Sequence, residues 1–308
     1  RIRLVYRTTG KGVRKLICNY CEWRCDLENG LPGICQMYTC EGDQIIEKHP
    51  HTYTSYIATH IESLPFFHAY PGSRSLQVGN RGCNFDCHYC SNAFVAKSLP
   101  GEVYTFSMTP KRVIDVAKIT GCHNIVFSVN EPTVSFPSFL EVTKEAKLAG
   151  FPVGCMTNGY MTEEARDMLS LASEFINISL KGFSQDFYSK YTGISDFSPI
   201  LRNIKSLAKT NHLEITTPVI QNVNDHEIID IAKFIASVDK NIPWHVFRLL
   251  PEYKMEDEEY PNIQKINEML DEARKILPYI YFSNFVGSVW VSTYCPNCSH
   301  KVIERLNL

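Results

Sequence analysis

"RGCNFDCHYCSN", residues 81–92, carries three cysteines, Cys83, Cys87 and Cys90, in a C-x3-C-x2-C spacing. A structural zinc site takes four ligands, and a protein Fe–S cluster is usually held by four cysteines. Three thiolates within eight residues therefore leave one coordination position of a metal centre open. An open position is where a second molecule can bind and react.

The composition limits the partners that this chain can have. Its 308 residues allow one large domain or two modest ones, and a hydrophobic content of 44% is ample for a packed core. The formal net charge of −2, without runs of like charge, argues against nucleic-acid or anionic-membrane partners. No stretch is long and apolar enough to span a bilayer, and "RIRLVYRTTG" (1–10) has no signal-peptide core. Because the first residue is not Met, we expect the numbering to begin inside a longer gene product.

The 12 cysteines are spaced for metal binding. Disulfide-rich secreted scaffolds are usually far shorter than this chain. Clustered C-x2-C and C-x3-C-x2-C spacings favour metal ligation in a reducing compartment, so we expect a cytoplasmic protein.

A regular alternation of strand and helix patterns begins after the turn-forming "AYPGS" (69–73). The predicted strands are "SLQVGN" (75–80), "NIVFSVN" (124–130), "FPVGCMTN" (151–158), "FINISLKG" (175–182), "LEITTPVI" (213–220) and "PWHVFRLL" (243–250). The predicted helices are "TPKRVIDVAKI" (109–119), "SFLEVTKEAKLAG" (138–150), "TEEARDMLSLA" (162–172), "SPILRNIKSLAK" (198–209) and "DHEIIDIAKFIASV" (225–238). Such alternation indicates parallel strands wrapped by helices, in a barrel or an open sheet.

Polar residues close most of these strands: Asn80, Asn130, Asn158, Lys181 and Arg248. The carboxyl ends of parallel strands carry the ligand site in α/β folds. We therefore expect these side chains to surround one site, close to the cysteine triplet.

The stretch "CNFDCHYC", on the loop after the first strand, resembles the radical S-adenosylmethionine (SAM) superfamily. The resemblance implies a partial (β/α)6 TIM-type barrel in which Cys83, Cys87 and Cys90 hold three irons of a [4Fe–4S] cluster. The fourth iron would bind SAM, whose reductive cleavage gives a radical that takes hydrogen from a substrate. It also implies that Tyr89 lies near the adenine, and that a ferredoxin or flavodoxin supplies electrons.

The same resemblance suggests how SAM is held. "VNEP" (129–132) falls where the family has a Gly-Gly-Glu-Pro-like segment, so Asn130 and Glu131 would receive the SAM ammonium group. Asn158, in "TNGY", would contact the methionine or ribose portion, and Lys181, in "SLKG", would supply a cation. Taken singly, each motif is more typical of a structural role, since Asn-Gly is a common turn and Glu-Pro often ends a strand. Their register with the strands indicates a SAM site.

Four stretches resemble the activase-like branch, and within it the AmmeMemoRadiSam-type proteins: "FFHAYPG" (66–72), "CHYCSN" (87–92), "ITTPVIQNVND" (215–225) and "PWHVFRLLPEYKM" (243–255). Two departures concern the ligand cavity. Ser179-Leu180-Lys181 stands where activase relatives have Asp-x-Lys, which removes a carboxylate beside the lysine. "RLLPEYKM" lacks the aromatic residue or His that relatives tend to have before the proline.

The sixth strand offers three candidate substrate contacts, Trp244, His245 and Arg248. With a period of two, Trp244 and Arg248 share one face and His245 lies on the other. An arginine in the cavity suggests a substrate carboxylate or phosphate. An internal structural role for Arg248 is an equal alternative.

The remaining cysteines suggest a second metal site. Cys18, Cys21, Cys25 and Cys35 form C-x2-C-x3-C-x9-C, and Cys295 and Cys298 form "CPNC". Either the first four bind zinc or a second Fe–S cluster, or the pairs Cys18–Cys21 and Cys295–Cys298 meet as two knuckles. Reduced thiols without metal are a third alternative. Loop-closure entropy favours the four neighbouring cysteines. Cys122 and Cys155, isolated inside βα units, are predicted core residues.

The sequence thus predicts three segments: a cysteine-rich extension (1–74), a radical SAM partial barrel (75–285) and a C-terminal segment with the CPNC knuckle (286–308). The favoured function is a radical SAM enzyme acting on an unidentified small-molecule or protein substrate. One alternative is a glycyl-radical-enzyme activase acting on a partner protein. Another is a non-catalytic Fe–S electron carrier, which would not need six strand–helix units with polar strand ends.

Overall fold

The computed structural model describes residues 5–8, 14–98 and 101–306, with side chains from Leu16 onward. The strands are β1 (Val5–Thr8), β2 (Arg14–Ile17), β3 (Asp26–Leu27), β4 (Tyr38–Glu41), β5 (Gln44–Glu47), β6 (Thr52–Tyr53), β7 (Ser55–His60), β8 (Arg74–Gly79), β9 (Phe106–Ser107), β10 (Asn124–Phe127), β11 (Val153–Thr157), β12 (Phe175–Ser179), β13 (His212–Val219), β14 (Trp244–Arg248), β15 (Ile280–Tyr281), β16 (Thr293–Tyr294) and β17 (Lys301–Ile303). The α-helices are α1 (Ala93–Ala96), α2 (Pro110–Ile119), α3 (Phe136–Leu148), α4 (Glu163–Ala172), α5 (Gln185–Thr192), α6 (Ser198–Leu207), α7 (Ile228–Val238) and α8 (Ile263–Ala273).

One sheet organises the molecule, with strand order β15-β14-β13-β12-β11-β10-β8-β7. Every pair from β8 to β15 is parallel, and β7 joins the edge antiparallel to β8. The parallel strands from β8 to β15 are mostly buried, and β10 is buried along its whole length. The predicted partial barrel is confirmed, and all six predicted strands and five predicted helices are present.

Helix boundaries follow local chemistry. Thr109 caps α2 by accepting a hydrogen bond from the Arg112 amide, and Pro110 occupies the first turn, where no donor is needed. In α7 the apolar residues Ile228, Ile231, Ala232 and Ile235 lie on one face, and all four are buried. This face packs the helix against the sheet, as the 3.6-residue period requires.

The structure adds elements that the sequence pattern did not predict. Strand β7 lies within the predicted extension yet pairs with β8 along its length, from Ser55–Gly79 to His60–Arg74. Strand β15 extends the other edge, and helices α5 and α8 pack outside the sheet. The predicted division at residue 74 remains a prediction, but the extension contributes a strand to the barrel sheet.

Among the described residues, four small sheets accompany the central one, and in one of them β6 pairs with β9. Strands β1, β2 and β3 form one antiparallel sheet, and β4 pairs with β5. Strands β16 and β17 form a C-terminal hairpin. No helix in the described part of the chain is long and apolar enough to cross a membrane.

Candidate active site

A cavity of about 350 Å³ lies at the carboxyl ends of the parallel strands. Its wall includes the predicted residues Cys83, Cys87, Cys90, Tyr89, Asn130, Glu131, Asn158, Lys181 and Arg248. Side chains that are up to 165 positions apart in sequence (248 − 83) thus meet in one cavity at the strand ends.

The three cysteine thiols share an environment that suits a metal centre. Burial raises the pKa of Cys83 to about 12, and the nearby Lys97 ammonium opposes that rise. Burial likewise raises the pKa of Cys87, and Lys181 opposes it. The Cys83 sulfur accepts the Phe85 amide at 3.5 Å. Since buried thiolates need positive charge beside them, iron ligation would stabilise this arrangement.

Asn130 fixes the beginning of the loop that carries the cysteines. Its side-chain oxygen accepts the Asn80 amide at 3.0 Å, and its side-chain nitrogen donates to the Arg81 carbonyl at 3.2 Å. Asn130 therefore positions the loop in addition to lining the cavity.

Glu131 is a buried carboxylate surrounded by neutral donors. It accepts hydrogen bonds from the Thr133 amide and hydroxyl, the Thr157 hydroxyl and the Asn158 amide, at 2.8–3.2 Å. Burial raises its pKa, because these amides and hydroxyls only partly offset the desolvation of the charge. The site therefore holds a negative charge whose hydrogen-bond donors are uncharged.

Asn158 links this carboxylate to the cysteine loop. Its amide donates to Glu131, and its side-chain nitrogen donates to Asn84 at 2.6 Å and approaches the Cys83 sulfur at 3.9 Å. Mutation at either Glu131 or Asn158 would consequently disturb the loop.

Lys181 follows β12 and is oriented without the carboxylate found in activase relatives. Its amide donates to the Tyr188 hydroxyl at 3.1 Å, and its carbonyl accepts from Asn224 at 2.8 Å. The ammonium lies 5.9 Å from the centre of the Tyr89 ring. These contacts fix the lysine backbone and direct its charge toward the cysteine loop.

Arg248 lies at the end of β14 on the cavity wall. Its Nε donates to the Asn284 carbonyl at 3.3 Å, and the guanidinium carbon lies 5.7 Å from the Phe285 ring centre. A guanidinium has five donors in all, so an anchored Nε is compatible with anion binding by the remaining nitrogens.

The predictions for Trp244 and His245 are wrong. Of the described side chains, those that line the cavity include neither residue. Both lie at the beginning of β14, about 10 Å or more from its carboxyl end at 3.3 Å per residue. Trp244 donates to the Thr217 hydroxyl at 2.9 Å, and His245 contacts Glu214 at 2.6 Å. They pack the strand and the floor of the barrel.

Sequence reasoning missed two features of the wall. Val129 has φ +76°, which is rare for a β-branched residue. It stands where the family motif has glycine, and its carbonyl accepts from Asn92 at 3.0 Å. Thr216 has a buried hydroxyl without a hydrogen-bond partner, which a bound molecule could satisfy. The motif alignment could have indicated Val129, but no sequence signal identifies Thr216.

The structure brings the four N-terminal cysteines together and leaves the CPNC pair apart. Cys21 forms a backbone bridge with Met161, just beyond the carboxyl end of β11. The β16–β17 hairpin lies at the amino end of the barrel, where Arg305 donates to the Phe67 carbonyl at 2.6 Å. The two-knuckle arrangement is therefore wrong. Cys122 and Cys155 are 7% and 0% exposed, which confirms them as core residues.

The sequence profile of the radical SAM superfamily matches residues 78–235. This match spans half of the chain, from the first barrel strand to α7, and the chain belongs to that superfamily. The family uses a [4Fe–4S] cluster and SAM, which confirms the predicted cofactors.

The chain is also similar to individual known proteins. The uncharacterized protein MJ0808 of Methanocaldococcus jannaschii is 29% identical over 94% of this chain and 88% of its own length. The putative glycyl-radical enzyme activating enzyme MJ1632 of the same organism is 28% identical, over 64% of this chain and 75% of its own. Streptococcus suis SuiB bound to SAM has a similar fold, with a TM-score of 0.54 at 13% identity. The match covers 68% of this chain and about half (49%) of SuiB.

Proposed function

We propose that this protein is a radical SAM enzyme that removes hydrogen from an anionic substrate bound beside Arg248. The observation that carries the proposal is the convergence of three thiols, two carboxyl groups (Glu131 and Glu252) and two cationic side chains (Lys181 and Arg248) on one cavity. When bound, the cluster and SAM supply one-electron reductive cleavage of SAM and a carbon radical able to abstract hydrogen.

The residues of the cavity would divide the binding of SAM between them. Glu131 presents a negative charge with uncharged donors, which suits the SAM ammonium group. Lys181 supplies a positive charge near Tyr89 and Cys87, which suits a carboxylate and favours the ionised thiol. The Thr216 hydroxyl offers a further hydrogen bond inside the cavity. A cavity of about 350 Å³ is at the lower end of the size range for ligand sites, so SAM would fill most of it.

The substrate would then lie at the Arg248 end of the cavity. A planar guanidinium recognises carboxylate or phosphate through paired hydrogen bonds. The Asn284 carbonyl and the Phe285 ring hold Arg248 in place, which reduces the entropy lost on binding. An external one-electron donor would be required for each reductive cleavage.

The test is hydrogen transfer under anaerobic conditions. Protein reconstituted with iron and sulfide is incubated with SAM, dithionite and deuterated candidate carboxylates or phosphates. We expect deuterium in the 5′-deoxyadenosine formed with the true substrate, and loss of that transfer in Arg248→Gln. The proposal of an anionic substrate would be contradicted if deuterium were transferred from an uncharged compound and Arg248→Gln did not reduce that transfer.

A second candidate is an activase whose substrate is a glycine of a partner protein. It is favoured by the similarity to MJ1632, whose name describes a putative activating enzyme. This version predicts deuterium transfer from a protein labelled at glycine, and a glycyl radical detectable by electron paramagnetic resonance. Transfer from a small molecule alone would exclude it.

A further inference from the structure

The N-terminal cysteines are assembled by short turns into one group outside the cavity. Cys18 follows β2 and Cys25 precedes β3, and the Cys18 amide donates to the Cys25 carbonyl at 2.9 Å. The Ile34 amide donates to the Cys25 sulfur at 3.4 Å, which brings the Cys35 turn alongside. Gly33 permits this approach, because a Cβ there would lie 3.2 Å from that sulfur.

Backbone amides are directed at the sulfurs of this group. The Ile34 amide donates to the Cys25 sulfur at 3.4 Å. The amides of Tyr20, Trp23 and Met37 lie near the sulfurs of Cys18, Cys21 and Cys35. The Phe85 amide has the same relation to Cys83 in the cysteine triplet. Concavities of amide groups bind anions and are common around Fe–S sites, where hydrogen bonds to sulfur tune the cluster.

The turns thus gather four cysteines into one group, with a backbone amide donating to one of the sulfurs. Four cysteine thiolates are the usual ligand set of a protein Fe–S cluster.

A hydrogen bond from a backbone amide to a cysteine sulfur is a feature shared with the cysteine triplet. The Ile34 amide donates to the Cys25 sulfur, as the Phe85 amide donates to the Cys83 sulfur. Hydrogen bonds to sulfur tune Fe–S clusters, and the triplet belongs to a family that uses a [4Fe–4S] cluster. The shared feature therefore favours an iron–sulfur cluster over zinc.

The group lies directly against the catalytic cysteine loop. A Cβ at Gly82 would lie 2.8 Å from Met37 Cγ and 3.4 Å from the Cys35 carbonyl, so the two turns are in contact. Trp23 donates to the Asn84 carbonyl at 2.7 Å. A second cavity, of about 390 Å³, has both Cys35 and Cys83 in its wall.

We propose that Cys18, Cys21, Cys25 and Cys35 hold a second iron–sulfur cluster, adjacent to the one that binds SAM. Cys295 and Cys298 are not ligands of it, because their hairpin lies at the other end of the barrel. The proposal does not depend on the identity of the substrate or on hydrogen abstraction.

Metal content of the full chain tests this assignment. The Cys83/Cys87/Cys90→Ala triple variant is purified and reconstituted without oxygen, and its iron, sulfide and zinc are counted. We expect about four irons and four sulfides per chain, as for one [4Fe–4S] cluster. Adding Cys21→Ala and Cys35→Ala should remove them, whereas adding Cys40→Ala, in the same apolar cluster, or Cys295→Ala should not.

Three results would overturn the assignment. These are a triple variant without iron, zinc in place of iron, and loss of iron with Cys295→Ala. If the triple variant does not fold, the wild-type chain decides: about eight irons support a second cluster and about four exclude it.

Discussion

Two buried carboxylates, Glu131 and Glu214, lie at opposite ends of the barrel and differ in the groups that donate hydrogen bonds to them. Glu131 is 2% exposed at the cavity end, and Glu214 is fully buried at the amino end. Glu131 accepts only from neutral hydroxyls and amides. Glu214 accepts from His212 at 2.9 Å and His245 at 2.6 Å, and from three consecutive amides.

The pKa values of the two groups move in opposite directions. Burial raises the pKa of Glu131, and its neutral donors offset this only in part. Burial also acts to raise the pKa of Glu214, but the hydrogen bonds and charges of His212 and His245 outweigh it and lower the value well below 4.5. At the amino end the charge of Glu214 is therefore compensated by groups of the protein itself. At the cavity end the charge of Glu131 is available to a cationic ligand.

The largest effect on folding is expected from Glu214, at the amino end of the barrel. Replacing Glu214 with Gln removes a charged acceptor to which five donors are directed, and a buried donor left without a partner costs about 1–3 kcal/mol. We expect a loss of that size in the free energy of unfolding, measured by urea denaturation. Glu131→Gln is the matched control and should lose less, because its donors are neutral. Equal losses would contradict the distinction between the two ends.

At the cavity end the larger effect should be on ligand binding. Each hydrogen bond to a charged group contributes about 1.5–3 kcal/mol, so Glu131→Ala should weaken SAM binding roughly ten- to hundredfold. Anaerobic calorimetry on reconstituted protein measures this affinity. Glu214→Gln is the control for an effect transmitted through the fold and should bind SAM normally at temperatures where it remains folded. Unchanged affinity in Glu131→Ala would remove the assigned role of this carboxylate.

The dependence of stability on pH should also separate the two ends. A carboxyl whose pKa is lowered in the folded state contributes stability above about pH 4.5, its unfolded value, and loses it as the pH falls through the folded pKa. Glu131 has a raised pKa, so its contribution increases as the pH falls toward 4.5. Glu214→Gln should flatten the acid limb of the stability curve, and Glu131→Gln should not. Parallel acid limbs for wild type and Glu214→Gln would contradict this.

The sequence pattern was sufficient for the parallel core because each strand and helix there has its own local signal. The apolar face of α7 and the Thr–Pro start of α2 are examples. The ends of the strands could also be predicted, because the point where an apolar run stops can be seen in the sequence. Those positions include Asn130, Asn158 and Lys181, which line the cavity.

The other features depend on contacts between distant segments. Glu214 meets the amides of residues 67–69 across 145–147 positions, and no local pattern records such a contact. For the same reason the pattern of β14 cannot show that His245 contacts Glu214 on the neighbouring strand β13 rather than the cavity. Pairing of β7 with β8 likewise joins a segment that reads as an irregular extension to the edge of the sheet.

The smallest expected effect concerns the backbone at Val129. A non-glycine residue in a left-handed conformation costs roughly 1–3 kcal/mol, and a glycine adds back about 1 kcal/mol of unfolded-state entropy. Val129→Gly should therefore stabilise the chain by about 1 kcal/mol or leave it unchanged. Thermal unfolding, with the exposed Val286→Gly as a control, measures the change. A loss above about 2 kcal/mol would show that the packing of Val129 outweighs its backbone strain.

Reductive cleavage of SAM tests the central claim, that the cavity end is a radical SAM active site. Wild type, Cys87→Ala and the core control Cys122→Ala are reconstituted without oxygen and incubated with SAM and dithionite, and 5′-deoxyadenosine is quantified. We predict 5′-deoxyadenosine from wild type and Cys122→Ala and none from Cys87→Ala. Formation of 5′-deoxyadenosine by Cys87→Ala at the wild-type rate, or its absence from a wild-type protein with a full complement of iron, would contradict the account.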